Sequence, residues 1–128
     1  LYGDGENVRD WIHVEDHCEA LVCALERGRS GRAYNIGAGN ERSNIELARA
    51  ICELMGADES MIEFVDDRPG HDRRYAVDSS KAARELGWTP SRSSWPGALR
   101  STIEWYNANA WWWEEILRGE HHATLAKR

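Results

Sequence analysis

A cluster of basic side chains surrounds a Pro-Gly turn in the stretch DRPGHDRRY. Arg68, His71, Arg73 and Arg74 fall within seven positions, although the whole chain carries a formal charge of −6. The turn at Pro69–Gly70 interrupts any regular helix or strand, so these side chains could converge on one ligand. Arginine offers a planar fork of donors that matches phosphate oxygens, and histidine adds a donor whose charge changes near neutral pH. The stretch therefore predicts a phosphate site.

The same stretch has a second interpretation as a solvated loop. Asp66, Asp67 and Asp72 lie among the basic residues, and each could form an ion pair with one of them. Surface ion pairs of this kind are common and contribute little to stability. Spacing alone leaves both interpretations open.

A further arginine, Arg9, begins the stretch RDWIHVEDH. It lies at the start of a predicted strand, where an arginine side chain could point into a cleft, and pairing with Asp10 or Glu15 is the alternative. His13 and His17 are four residues apart, but they straddle a predicted strand–helix junction. Helical facing does not hold there, so this spacing predicts no metal site.

The stretch NIGAGNERSN is similar to the start of a dinucleotide-binding fingerprint, with Gly37 and Gly39 after a predicted strand. The pattern requires a third glycine at position 42, where this chain has Arg42. A glycine-rich turn into a helix is the alternative interpretation. The helix that follows offers free N–H groups and the positive end of its dipole, so Asn44 at its start could contact an anion.

Composition excludes several classes of function. The chain has 128 residues, 41% hydrophobic and 30% charged, as expected for a globular domain, and its acidity argues against a nucleic-acid partner. No apolar run approaches the roughly 20 residues that a membrane-spanning helix needs.

Cys18, Cys23 and Cys52 are interpreted as small buried side chains in a cytoplasmic protein, and His121–His122 as exposed. The tryptophans near the C-terminus could stack a base, but core or interface packing is the alternative.

Hydrophobic periodicity predicts an alternation of strands and helices. Strands are predicted over 8–14, 33–37 and 61–65, and helices over 15–27, 44–56, 79–86 and 95–113. On the first helix, the apolar face is expected to contain Cys18, Leu21, Val22 and Leu25. A capping box of Ser43 and Glu46 begins the second helix, and Ser94 is expected to cap the last one. Residues 38–43 are predicted to form a loop.

The predicted order of elements indicates an α/β chain with few strands. A three-stranded sheet with helices could fold alone, or it could be the last part of a larger sheet. Leu1 is not an initiator methionine, which favours the second view.

Three stretches, in this order, carry a resemblance to a known family: RDWIHVEDH, YNIGAGNERSN and DRPGHDRRYAVDSSKAARELGWTP. From Tyr2 to about Trp113 the chain resembles the C-terminal part of the dTDP-glucose 4,6-dehydratases, which belong to the extended short-chain dehydrogenase/reductase family. The resemblance implies an extended Rossmann-type α/β fold, represented here by its last strand and helix elements and a small substrate-binding domain. Residues 1–113 would form that part and 114–128 a tail, without the N-terminal NAD-binding region.

The resemblance also implies which residues bind the diphosphate of a nucleotide sugar. Arg9, Asn44, Arg68 and His71 would contact it, and the remaining residues of the motif would shape the loop. The implied substrate-binding set is Arg9, Asn44, Asp67, Arg68, Pro69, Gly70 and His71.

Family chemistry, as the resemblance implies it, uses NAD to oxidise C4 of the glucose, eliminates water across C5 and C6, and returns hydride to C6. A Tyr-x-x-x-Lys pair and an Asp-Glu pair perform the proton transfers, and the resemblance implies that both lie upstream of Leu1. Tyr75 and Lys81 are six residues apart and do not match the first pair. The chain alone is therefore expected to contain no catalytic residue. The full-length enzyme is expected to be a homodimer. The alternatives are part of a nucleotide-sugar epimerase or decarboxylase, or a non-catalytic binding module.

Overall fold

The computed structural model describes residues 1–118. Its elements are short strands and helices in mixed order, and they are joined by well-defined turns. In chain order they are β1 (Val8–Asp10), α1 (Val14–Arg27), β2 (Glu41–Ser43), α2 (Asn44–Met55), a 3-10 turn (Glu59–Met61), α3 (Ser80–Leu86), α4 (Gly97–Ala108) and α5 (Ala110–Leu117). Histidines 121 and 122 lie outside the described residues, and the predicted boundary after residue 113 stays a prediction.

Strand β1 is bonded on both of its edges. On one edge it pairs antiparallel with β2, and Arg9 lies opposite Arg42. On the other edge, the amide of Val8 donates to the carbonyl of Arg73 at 2.8 Å and the amide of Tyr75 donates to the carbonyl of Val8 at 3.0 Å. The basic stretch is therefore fixed beside β1 by backbone hydrogen bonds.

Three of the strand predictions differ from the structure. The first strand ends at Asp10, because His13 caps α1 and its Nδ1 accepts from the amide of Glu15. Residues 33–37 form no strand in the described part of the chain, and of 61–65 only Val65 makes a bridge, with Tyr2. Strand formation requires a bonded neighbour, which local propensity does not supply.

Residues 41–43 were predicted as loop and form β2 instead. The carboxylate of Asp10 accepts hydrogen bonds from the amides of Gly39 and Asn40, at 3.2 and 2.9 Å. These bonds turn the chain back so that the next three residues pair with β1. The strand therefore depends on a side chain about thirty positions earlier, which local sequence does not reveal.

Helix α2 forms as its sequence predicts. The hydroxyl of Ser43 accepts from the amide of Glu46, and the carboxylate of Glu46 accepts from the amide of Ser43 at 2.7 Å, which is the reciprocal capping box. Gly56 ends the helix with φ at 64°, a left-handed conformation that glycine adopts without steric cost.

The last predicted helix is two helices. The chain breaks at Asn109, where φ of −120° and ψ of 42° leave the helical region, and the side-chain amide of Asn109 donates to the carbonyl of Trp105 at 2.8 Å. The predicted cap by Ser94 is wrong, because α4 begins after Pro96 without a side-chain cap.

Helix α1 buries a different face from the one predicted. Asp16, Ala20 and Cys23 are its buried residues, whereas Leu21, Val22 and Leu25 are 55%, 52% and 87% exposed. The buried face packs on α3, and Ala82, Leu86 and Trp88 complete the core. Cys18 is exposed, contrary to expectation, and Cys23 and Cys52 are buried as predicted. The small side chains on α1 allow this helix to pack closely on α3. The larger apolar side chains of α1 therefore remain on its exposed face.

A buried carboxylate ties α1 to the chain beyond α3. Asp16 is fully buried and accepts hydrogen bonds from the amides of Ser91 and Arg92 and from the hydroxyl of Ser93, the last at 2.5 Å. None of the helices within residues 1–118 has the length and apolar character needed to cross a membrane.

Candidate functional site

The basic turn is held beside β1 with the His71 side chain next to Arg9. Gly70 adopts φ of 72°, which closes the turn, and the amide of His71 donates to the carbonyl of Arg68 at 3.3 Å. The hydrogen bonds of Val8 to Arg73 and Tyr75 then fix the register of the stretch against β1. Residues about 60 positions apart in the sequence thereby form one surface.

His71 links Asp67 to Arg9. Its side chain is 5% exposed, its Nδ1 lies 2.7 Å from Oδ1 of Asp67, and its Nε2 lies 3.0 Å from Nη2 of Arg9. A guanidinium only donates, so Nε2 accepts from Arg9 and the ring proton is on Nδ1, where it donates to Asp67. This bond is the main reason why the pKa of Asp67 lies below its usual value.

Arg9 is held on three further sides. Its Nη1 donates to the carbonyl of Val8 at 2.6 Å and its Nη2 to the carbonyl of Asp72 at 2.9 Å. Its Cζ lies 4.4 Å from the centre of the Tyr75 ring, a cation–π contact. The side-chain amide of Asn7, a buried residue, donates to the same Asp72 carbonyl at 3.3 Å. The predicted alternative, in which Arg9 pairs with Asp10 or Glu15, is wrong.

The other arginines of the stretch divide into one without a partner and two with distant partners. Within residues 1–118 the exposed Arg68 guanidinium forms no hydrogen bond or ion pair. Arg73 pairs with Asp4 at 2.7 Å, and Arg74 pairs with Glu41 at 2.6 Å. Of the alternative pairs within the stretch, only that of His71 with Asp67 forms in the described residues, because β1 pairing carries Arg73 and Arg74 toward acids elsewhere in the chain. Arg68 therefore remains available for a ligand.

Asn44 lies at the start of α2, next to β1, but the prediction of free helix amides there is wrong. The amides of Asn44 and Ile45 donate to the carbonyls of Asn7 and Gly5, and that of Glu46 donates to Ser43. The N-terminal amides of α2 are therefore already bonded within the protein. The half-buried Asn44 side chain has no hydrogen bond in the described part of the molecule and remains the group that could bind a ligand.

The glycine-rich turn does not form a dinucleotide cradle. The amides of Gly39 and Asn40 are taken by Asp10, and a side-chain carbon on Gly37 would lie 2.4 Å from the Asp10 carboxylate. The space that a pyrophosphate would need is therefore filled by the protein. Across residues 1–118, no group of three or more histidine, cysteine, aspartate or glutamate side chains could hold a metal ion.

A second surface feature is an aromatic groove of about 760 Å³, between residues 12–15 and helices α4 and α5. Trp105, Tyr106 and Trp112 line it and contact one another edge-on, with ring centres 5.3 to 6.3 Å apart. These rings are 40 to 46% exposed, so they form a surface cluster and not a core.

Sequence reasoning singled out Arg9, Asn44, Arg68 and His71, which the fold collects around β1. It missed Asn7 and Asp72, whose contributions are a buried amide and a backbone carbonyl, and such groups have no signature in sequence spacing. It assigned Tyr75 no place in the site, and no local signal indicates its contact, because the ring lies against Arg9, 66 positions earlier.

The family model described as GDP-mannose 4,6 dehydratase matches residues 1–96. The chain belongs to the GDP-mannose 4,6 dehydratase family. A dTDP-glucose 4,6-dehydratase of Xanthomonas campestris pv. campestris is 46% identical over 94% of this chain and 37% of that protein. The crystal structure of DesIV, the dTDP-glucose 4,6-dehydratase of Streptomyces venezuelae, with NAD and TYD bound, is similar with a TM-score of 0.84 and 46% identity, over 91% of this chain and 36% of that one.

Proteins with other activities in their names are also similar to this chain. UDP-glucose 4-epimerase of Thermotoga maritima, solved with UDP-glucose, is similar with a TM-score of 0.76 and 32% identity, over 86% of this chain and 35% of that one. The predicted resemblance to dTDP-glucose 4,6-dehydratases and the predicted Rossmann-type fold class are confirmed. The chain spans 37% of the length of the Xanthomonas enzyme.

Proposed function

We propose that this chain is the part of an NAD-dependent dTDP-glucose 4,6-dehydratase that binds the diphosphate of the nucleotide sugar. The full enzyme would convert dTDP-glucose to dTDP-4-keto-6-deoxyglucose. The proposed substrate-binding residues are Arg9, Asn44, Asp67, Arg68, Pro69, Gly70 and His71. The observation that carries the proposal is the meeting of Arg9 and the basic turn, whose side chains lie 3.0 Å apart at His71 although the two segments are 62 residues apart.

The donors in this region suit a diphosphate. A guanidinium has five N–H groups, and three of those on Arg9 are engaged by Val8, Asp72 and His71, which leaves two for a ligand. The Arg68 guanidinium has all of its donors free within the described part of the chain, and the Asn44 side-chain amide adds a neutral donor. Charge-assisted bonds from arginine to phosphate are short and strong, and they can be bidentate.

Asp67 and His71 would have a supporting role in this site. With its proton on Nδ1, His71 accepts from Arg9 and orients that guanidinium, while Asp67 stabilises this tautomer. His71 could donate to phosphate from Nε2 only after gaining a second proton and releasing Arg9. Holding the diphosphate in this way would fix the sugar at a reacting centre without taking part in the reaction.

NAD would supply the hydride chemistry of the longer enzyme, and the described residues do not fit it because Asp10 fills the glycine-rich turn. We therefore assign no step through NAD to this chain and propose that it is inactive alone. A second candidate function is part of a nucleotide-sugar epimerase, which the 32% identity to an epimerase supports. Homodimer formation and a cytoplasmic location stay predictions.

Two measurements test the proposal. Isothermal titration of the chain with dTDP should show saturable binding, and incubation with dTDP-glucose and NAD should yield no 4-keto-6-deoxy sugar. Absence of dTDP binding would refute the proposed site, and product formation would refute the proposed inactivity. A parallel titration with UDP separates the two candidates, since tighter binding of UDP would favour the epimerase.

A further inference from the structure

Tyr75 occupies an unusual position for a tyrosine. Its side chain is about half exposed, at 52%, so the ring is not part of the core. Its backbone amide donates to the carbonyl of Val8, and this bond fixes the residue directly beside β1. The ring lies against the Arg9 guanidinium, 4.4 Å from Cζ. Packing and backbone pairing do not require an aromatic side chain here, whereas the contact with Arg9 does.

The hydroxyl of Tyr75 extends this contact into a closed set of bonds. It donates to the carboxylate of Asp72, while the backbone carbonyl of Asp72 accepts from Nη2 of Arg9 at 2.9 Å. The bond to Asp72 raises the pKa of Tyr75, so the hydroxyl stays a donor at neutral pH. The Tyr75 ring thus restrains one face of the Arg9 guanidinium, and the Tyr75 hydroxyl acts on it through Asp72. His71 contacts the edge of the same guanidinium.

We propose that Tyr75 is a positioning residue for the diphosphate site, which holds the Arg9 guanidinium in the orientation that binds phosphate. The identity of the ligand in this inference rests on the proposed function, whereas the contact between Tyr75 and Arg9 does not depend on it. Preorganising a long, flexible side chain removes the entropy cost of ordering it when the ligand binds. Tyr75 therefore acts on affinity through Arg9, and not by its own contact with the ligand.

The variants are Tyr75→Leu, which removes ring and hydroxyl, and Tyr75→Phe, which keeps the ring. Tyr34→Leu is the matched control, because the Tyr34 ring makes a similar contact, 4.8 Å from Nζ of Lys81, away from this site. The first measurement is the heteronuclear ¹⁵N NOE of Arg9 Nε–H in the ligand-free chain. We expect a rigid Arg9 in the unaltered chain, in Tyr75→Phe and in the control, and a mobile Arg9 in Tyr75→Leu. An Arg9 that stays rigid in Tyr75→Leu would overturn the inference.

The second measurement is dTDP affinity by calorimetry. Tyr75→Leu should weaken binding roughly fivefold to tenfold, Tyr75→Phe by less than about threefold, and the control should leave it unchanged. In an Arg9→Ala background Tyr75→Leu should cause no further loss, since the effect passes through Arg9. An equal loss in both backgrounds would contradict positioning. Thermal unfolding of Tyr75→Leu should shift by less than about 3 °C, because the side chain is exposed.

Different results would refute the proposed function and the positioning role of Tyr75. If the unaltered chain does not bind dTDP, the proposed function is wrong, and the NOE of Arg9 still decides whether Tyr75 holds it. If the chain binds dTDP and Tyr75→Leu binds it equally well with a rigid Arg9, the proposed function survives and the positioning role is wrong.

Discussion

At the scale of single residues, the site is a cation cluster in which each positive group has a distinct state. Arg9 is held by four neighbours, Arg73 and Arg74 are paired with Asp4 and Glu41, and Arg68 is unpaired in the described part of the chain. An acidic protein of net charge −6 thus keeps one free guanidinium beside an ordered one. That difference in pairing decides which arginine a ligand can engage without breaking an existing bond.

Arg68→Ala should weaken dTDP binding by about tenfold or more, because a charge-assisted hydrogen bond to phosphate is worth about 1.5–3 kcal/mol. The melting temperature should not change, since Arg68 is exposed and its side chain makes no hydrogen bond or ion pair within residues 1–118. Arg73→Ala is the control: it breaks the exposed pair with Asp4 and should leave affinity nearly unchanged. Calorimetry on both variants measures these affinities. Equal losses of dTDP affinity would mean that the ligand is attracted by the overall positive charge of the stretch and not by Arg68 itself.

The Asp67–His71 bond predicts a specific titration. The hydrogen bond from His71 lowers the pKa of Asp67, so its carboxyl should titrate below 3.8 by NMR, and in His71→Ala its midpoint should return toward 3.8. The sign follows from linkage: the bond stabilises the fold above pH 3.8 and ceases to do so as pH falls through the lowered pKa. Asp58, whose pKa is lowered by Ser60, should stay low in both proteins and serves as control. An unchanged Asp67 midpoint in His71→Ala would contradict the assigned bond.

At the scale of elements, two sets of long-range hydrogen bonds position the site. Asp10 bends the chain so that β2 pairs with β1, and the carbonyl and amide of Val8 hold the basic stretch on the other edge. The buried Asp16 then joins α1, which follows β1 directly, to residues 91–93. A carboxylate buried without such partners would be costly, whereas one that accepts several hydrogen bonds is a strong link.

Asp16→Asn should lower the free energy of unfolding by about 2–3 kcal/mol, because an amide cannot accept from all the donors of Ser91, Arg92 and Ser93. Burial alone would raise the pKa of Asp16, but the bonds from Ser93, Ser91 and Arg92 outweigh it and lower the pKa below 3.8. The contribution of Asp16 is therefore present above pH 3.8 and is lost as pH falls through the lowered value.

Urea unfolding of the unaltered chain and of Asp16→Asn, at pH 7 and at about pH 3, checks this prediction. The difference between their free energies of unfolding should be smaller at the lower pH. Glu19→Gln is the control, since Glu19 is an exposed partner of Arg92 and its loss should cost less than about 0.5 kcal/mol. An Asp16→Asn protein as stable as the unaltered chain at pH 7 would show that the buried carboxylate is not a structural link.

At the scale of the whole molecule, a large part of the apolar surface is outside the core. Leu21, Val22 and Leu25 form an exposed stripe on α1, and Trp111 and Leu117 are 61% and 78% exposed on α5. Contiguous exposed apolar surface of this kind is unusual for a monomeric soluble protein and favours contact with another surface. The core itself is small, built on Ala20, Cys23, Ala82, Leu86 and Trp88.

Replacing the stripe with charge should change surface behaviour without loss of stability. Leu21→Lys combined with Leu25→Lys should reduce the fluorescence of a bound hydrophobic dye and suppress self-association, because both side chains are exposed. The melting temperature should be nearly unchanged. Leu86→Lys, at a fully buried position, is the contrasting variant and should abolish cooperative unfolding. Dye binding that does not fall in the double variant would place the exposed surface elsewhere.

The sequence by itself determined the features that neighbouring residues encode. Helix α2, with its capping box and terminal Gly56, needs only residues within a few positions, and the Pro-Gly turn likewise sets its own shape. The residue types of the proposed phosphate site, Arg9, Arg68 and His71, could also be named in advance from their donor chemistry. Local sequence was sufficient for the helix and the turn because the interactions that decide them are local.

Only the tertiary structure decided which groups meet. The bond between Arg9 and His71, the pairing of Arg73 with Asp4, and the loss of free amides at the start of α2 each join segments far apart in the sequence. The same holds for α1, whose periodicity indicated an apolar face that the protein leaves exposed, because the close contact with α3 favours Ala20 and Cys23. Periodicity reports which face is apolar, whereas burial depends on the surface that a distant segment presents.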